Sequence, residues 1–310
     1  MAEHGNDPFH HVRDASYFEL PQFLGGELHL PSIPLFGYEF QLTKFMVLQV
    51  VAGLITLVIF RGLAKNIAGG QPPRGAWNNF WEMVAMYIRD NVVRPTLGAH
   101  HHPEEELAIE GEPHGVEQIH GHSHGQAHAE AKHSGHPGDR YLPFIWTCFF
   151  YILFCNLLGA VPWLGSPTGN INVTGMLALM AFGCTFIAGA RELGAGGFWA
   201  NLCPPLDAPP WMKFVLVPMM YIIETVGLFI KHGVLAVRLF ANIMGGHTVI
   251  GVMLGFIGLV ADTGLWYLVT PASILGQVGI GLLELFVAFL QAYVFAFLAT
   301  IFIAMGSHPH

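Results

Sequence analysis

The sequence predicts an all-α polytopic membrane protein of about five to six membrane-embedded helices. Two long, strongly tilted helices end it, and an amphipathic helix lies on the inner surface. Three observations carry this. Of 310 residues, 53% are apolar and only 11% charged, a balance that soluble domains do not carry. Several apolar runs reach the roughly 20 residues that cross a bilayer core. Two of them, 214–260 and 271–305, far exceed that length and hold isolated polar and charged residues inside.

Residues 1–41 are polar, with prolines at 8, 21, 31 and 34, and read as an extramembrane lead-in that is extended or interfacial. No basic stretch followed by an apolar core marks a signal peptide there. The first span is 42–60, with Lys44 near its start and Arg61 closing it. Lys65, Arg74, Arg89 and Arg94 follow, so the positive-inside rule makes this side cytoplasmic and the N-terminus external. Within the loop 61–97, residues 78–93 place Phe80, Trp81, Val84, Tyr87 and Ile88 at helical spacing. That is a helix lying along the inner surface.

The stretch 98–139 is rich in His, Glu, Gly and Ala and holds ten of the chain's 18 histidines. It has no apolar period, so it reads as a disordered cytoplasmic insert. Its eight acids and single lysine supply −7 of the net charge of −8. The rest of the chain is near neutral and shows no footprint for nucleic acid. His120, His122 and His124 could bind a metal weakly, but the tract lacks the fixed ligand spacing of a folded site. The four cysteines have neither metal nor disulfide spacing and read as small core residues.

From 140 to 306 the chain reads as one membrane domain. The second and third spans are 141–158 and 174–190, joined by a Gly/Pro-rich outer turn. Arg191 and Lys213 bracket an inner loop. The run 214–260 is roughly 70 Å long if helical, against a bilayer core of about 30 Å. It is either two spans with a tight turn or one tilted element. Gly233, Gly245-Gly246 and Gly251 make no convincing break, which favours long tilted helices here and at 271–305. Residues 307–310 are a tail.

Arg238 sits mid-run, where a charge that cannot easily be shed costs roughly 2.5 kcal/mol or more. Glu224, Lys231 and Arg238 are spaced by seven and share a face; Asn242 continues it. Gly245 leaves that face narrow enough for another helix to approach. On the last helix Glu284 and Gln291 are also seven apart. Antiparallel packing sets Arg238 level with Gln291. His247 then lies about 13.5 Å toward the connecting loop and Glu284 about 10.5 Å in the same direction. The two meet near one depth, with Glu224 on the other side of Arg238. A histidine titrates near neutrality, which suits proton exchange with water. The pattern is two proton-capable sets flanking a fixed cation.

Arg238-Leu239-Phe240, Asn242, Gly246-His247 and, some 50 residues on, Gln291-Ala292 resemble subunit a of the F-type ATP synthase. The likeness covers roughly 40–306. It implies a non-catalytic stator subunit, without cofactor, beside a rotating ring of c subunits. The b subunits of the peripheral stalk and the other synthase subunits are its remaining partners, with the lipid bilayer around it. It implies a bacterial inner membrane, with the C-terminus cytoplasmic. In the family, two aqueous half-channels end on opposite sides of the arginine, which faces the ring's proton-carrying carboxylate. Carried over by position, Asn242 and Gln291 match the polar pair around the arginine, and Glu224 the acid of the inner half-channel. His247 and Glu284 match a pair that many bacterial members carry as Glu then His, and mitochondrial members in the order found here. Some members place an acid where this chain has Gly159, and the insert 98–139 is outside the usual pattern.

Two rival functions are set against this. A zinc transporter would explain the histidine-rich insert, but the spans offer a lone His247–Glu284 pair beside an arginine that repels a dication. An intramembrane enzyme would need a nucleophile–base pair or HExxH, and neither occurs in the sequence.

Overall fold

The computed structural model describes residues 14–19, 26–35, 38–68, 75–98, 137–161, 164–201 and 209–307. Its helices are α1 (Lys44–Ala68), α2 (Ala76–Ile88), α3 (Arg94–Gly98), α4 (Leu142–Gly159), α5 (Ile171–Leu193), α6 (Ala195–Asn201), α7 (Pro210–Leu259) and α8 (Trp266–Ser307). Five of them, α1, α4, α5, α7 and α8, are long and apolar enough to cross a membrane. The all-α polytopic class follows.

The lead-in has more structure than its composition suggests. Two antiparallel hairpins precede α1, pairing β1 (Tyr17–Glu19) with β2 (Glu27–His29) and β3 (Ser32–Leu35) with β4 (Tyr38–Gln41). They are tied to the first span: Lys44 N–H donates to the Ala15 carbonyl (2.9 Å) and Phe45 N–H to the Asp14 carboxylate (3.3 Å). Asp14 thereby caps one of the amides that a helix start leaves without a partner.

The tilted-helix alternative holds for the two long runs. α7 is 50 residues without interruption, about 75 Å, and so must slant to be accommodated in a core near 30 Å thick. α8 begins at Trp266 rather than at Pro271. A proline so close to a helix start forfeits few backbone bonds, so the apolar run alone underestimates the helix. α8 packs against α4, α5 and α7. Its buried side carries four small residues, Ala288, Ala292, Ala296 and Ala299, beside the larger Gln291, Phe295 and Ile303. In lipid, close backbone approach at such small residues does the work that apolar burial does in water.

The apolar face of α2 is narrower than the sequence suggests. Trp81, Val84, Ala85 and Ile88 are buried, at the i, i+3, i+4, i+7 spacing of a single seam, while Phe80 and Tyr87 are exposed. The seam lies on α4: Trp146 donates its indole N–H to the Ala85 carbonyl (2.8 Å), and Trp81 packs on Phe150 and Phe154. A π turn, Arg89–Val93, carries the chain on to α3. It holds an exposed ion cluster, in which the Arg89 hydrogen bond keeps the Asp90 carboxyl below the usual carboxylate range.

Arg94 closes the neck of the insert. Its guanidinium makes two bonds to the Asp139 carboxylate (3.2 and 3.1 Å), and the 3₁₀ turn Pro137–Arg140 packs on α3. Residues 137–139 thus belong to a folded turn and not to the insert; 99–136 lie outside the described residues. The points where the insert leaves and re-enters are neighbours. Excising 99–136 with a short Gly/Ser joint should leave yield unchanged and the melting midpoint within about 2 °C of the parent. Loss of the folded protein would make the insert a structural element.

Candidate functional site

The site forms where α7 and α8 pack antiparallel. His247 Nε2 lies 3.7 Å from Glu284 Oε1. Gly246 allows this approach, since a β-carbon there would stand 3.1 Å from the Glu284 carboxyl carbon. Gly245, by contrast, is exposed, and a β-carbon there would meet no neighbouring element within 4 Å among the described residues. Glu284 is buried and His247 half-buried. The gap is just beyond a hydrogen bond, so a small side-chain rotation or one water joins them.

The same packing sets the level of the arginine. His247 opposes Glu284, and further along Met253 opposes Gly276. Carried down the two helices, this register puts Arg238 level with 291–293. Gln291 is buried at 3% exposure and Arg238 is exposed. Arg238 makes no ion pair or side-chain hydrogen bond among the described residues. Around it the helix shows outward-facing Val234, Val237, Ala241 and Gly245. Asn242 is half-buried beside it. Two turns further from His247, Lys231 Nζ pairs with Glu224 Oε1 at 3.3 Å, both groups partly exposed. The structure therefore joins His247 to Glu284 and Glu224 to Lys231, and leaves Arg238 between them, bonded to neither.

Three features escaped the sequence reading. Asn156 is one polar residue in the second apolar run, yet it is fully buried and links three elements. It accepts from Thr168 (2.8 Å) and donates to the Ala288 carbonyl of α8 (3.4 Å), while Thr168 and Ser166 share a hydrogen bond (2.8 Å). Gly159 is required here, because a side chain would collide with Ser166. His232, hidden beside Lys231 in the sequence, is buried between Phe182 and Phe302 with its Nδ1 2.9 Å from the Leu228 carbonyl. Lys44, read as a charge near the start of a span, is buried at 2% exposure. An asparagine or histidine within an apolar run was the available signal, but nothing in the sequence says which face it takes. His120, His122 and His124 lie outside the described residues.

Comparisons with known proteins give the family. Residues 116–304 match the family model described as ATP synthase A chain. The chain is 36% identical over 303 residues to a Chloroherpeton thalassium protein named ATP synthase subunit a, covering 97% of this chain and 76% of that one. A Myxococcus xanthus protein of the same name is 34% identical over 312 residues, covering 99% and 80%. One from Anaeromyxobacter is 31% identical over 348 residues, covering 100% and 74%. The chain belongs to the ATP synthase A chain family, part of the membrane-embedded, proton-transporting sector of an ATP synthase.

Proposed function

We propose that this subunit is the stator half of a rotary proton path, with Arg238 facing the carboxylate of a c-subunit ring. The observation that carries it is an exposed, unbonded arginine midway along an apolar helix, between two separate polar clusters. An unpaired cation in lipid is costly, and an opposing carboxylate offsets that cost. Arg238 in turn lowers that carboxylate's pKa by direct attraction. A protonated ring carboxylate is neutral and passes through lipid; an ionised one does not. Arg238 thus forces proton release on arrival and blocks a bare leak between the clusters.

In this reading the His247–Glu284 pair serves the outer half-channel and Glu224 the inner one, with Lys231 as its counter-charge. Asn242 and Gln291 order the surroundings of the arginine. The hairpin end lies outside a bacterial inner membrane and the Arg61–Arg94 end in the cytoplasm. The subunit is non-catalytic, and the b subunits of the peripheral stalk hold it against the ring's drag. Protonmotive force supplies about 2.3 kcal/mol per charge per 100 mV. The small outward residues around Arg238 let another helix come close.

Cysteine pairs test the facing surface. Cysteines at Val234 or Ala241 should cross-link, in the assembled synthase, to cysteines flanking the ring carboxylate. Cysteines at Leu235 or Leu239, on the buried side of the same helix, should not. Equal yields from both sets would reject this orientation. Metal transport surviving Arg238→Ala would favour the zinc transporter instead.

A further inference from the structure

Along α8 a polar residue recurs at every seventh position: Thr270, Gln277, Glu284 and Gln291. Seven residues are close to two turns, so the four lie near one face with rungs about 10.5 Å apart. Each carries a buried side-chain atom without a hydrogen-bond partner among the described residues: Thr270 Oγ1, Gln277 Nε2, Glu284 Oε1 and Gln291 Nε2. Buried Ser273 stands on the same face between the first two. An unmet polar atom away from water is costly, and four of them in phase point to a shared partner.

Glu284 and Gln291 belong to the site already described. Gln277 and Thr270 lead from Glu284 toward the turn that joins α7 to α8. This stretch of α8 packs on α7, where a β-carbon built on Gly276 would stand 3.6 Å from the Met253 sulfur. Residues 266–283 include no charged side chain, so a proton moving along this helix face meets no carboxylate before Glu284.

Between Gln277 and Glu284 the face is occupied by Gly281, four residues from one and three from the other. Gly281 is half-buried, and a β-carbon there would meet nothing within 4 Å among the described residues. Open space therefore separates the amide from the carboxylate, where packed side chains would otherwise stand. Room and polar partners are the two conditions that an ordered buried water needs.

We propose that Gln277 is a positioning residue for proton entry, ordering water across the opening at Gly281 so that protons reach Glu284. An amide is not basic and does not itself take the proton. Its N–H groups donate to one water oxygen and its carbonyl accepts from another water, which keeps the file aligned. The proton ends on the Glu284 carboxylate and leaves it neutral. Thr270 and Ser273 continue the file to the turn. This role rests on the reading of His247 and Glu284 as proton carriers.

ATP synthesis by the complete synthase is measured in proteoliposomes, driven by a proton gradient imposed from the side of the α7–α8 turn. Gln277→Met, which keeps the length and removes the amide, should slow synthesis at least about fivefold with an unchanged yield of assembled complex. Gln277→Asn should recover at least half of the parent rate. Gly281→Leu, which fills the opening, should slow synthesis at least about tenfold, whereas Gly281→Ser, small and polar, should keep most of it. Gln277→Met combined with Glu284→Ala should be no slower than Glu284→Ala alone, because both act on one path. A parental rate in Gln277→Met while Glu284→Ala is slow overturns this role and leaves the pair standing. A parental rate in Glu284→Ala overturns the pair itself. Gln277→Asn as slow as Gln277→Met overturns the role too, since shape and not the amide would then matter. If Gln277→Met does not assemble, Gly281→Leu against Gly281→Ser decides, and equal rates in those two overturn it.

Discussion

Replacing Arg238 with alanine should abolish ATP-driven proton pumping and ATP synthesis, with the subunit still assembled. The two halves of this outcome have separate physical grounds. Arg238 is exposed and makes no ion pair or side-chain hydrogen bond among the described residues, so its loss opens no cavity and orphans no partner. α7 is held instead by buried Leu235, Leu239 and Ile243. Function fails because nothing else on that face supplies a cation at that level. Lys231 lies seven residues away and is engaged with Glu224. Arg238→Lys should fail too, since an ammonium loses the planar fork and deprotonates more readily in lipid. Acidification of inverted vesicles, ATP synthesis and the yield of assembled complex are the measurements. Coupled synthesis near the parental rate in Arg238→Ala would remove Arg238 from its assigned role.

The second large effect concerns His247 and Glu284. Each single alanine variant should slow proton flux strongly, by roughly tenfold or more, a loss of about 1.4 kcal/mol. The double variant should cost little beyond either single one, because residues that act as a unit are not additive. Exchanging the residues, His247→Glu with Glu284→His, should recover part of the flux. Gly246 leaves room at the Glu284 carboxylate, and the pair needs both groups rather than their order. ATP-driven proton uptake across pH 6 to 9 reads all four variants. Additive losses without recovery in the exchanged pair would separate the two residues into unrelated tasks.

The legible part of this protein was the part fixed by one-dimensional spacing. Helix rise alone put His247 and Glu284 at one depth, and the 3.7 Å approach matches that arithmetic. The length of 214–260 argued for a single tilted helix because no glycine in it made a break. What stayed illegible depends on the third dimension. Asn156 is one polar residue in an apolar run until α8 brings the Ala288 carbonyl to it. Gly159 read as a missing acid, whereas the turn leaves no room for any side chain. Phe80 and Tyr87 look like part of an apolar face until α4 selects the seam through Trp81 and Ile88. The hairpins before α1 escaped because proline-rich polar sequence carries little strand signal.

The Arg94–Asp139 clasp has a practical use. The described residues on either side of the segment 99–136, Gly98 and Pro137, end two elements that are held side by side. Cargo spliced between them is carried like a pendant: it adds mass but no lever arm across the helices. A fluorescent reporter or an affinity handle grafted at this neck would travel with the subunit and leave the packing of α7 on α8 alone. On the stator reading proposed above, such an attachment point would let single complexes be tethered and any rotation watched.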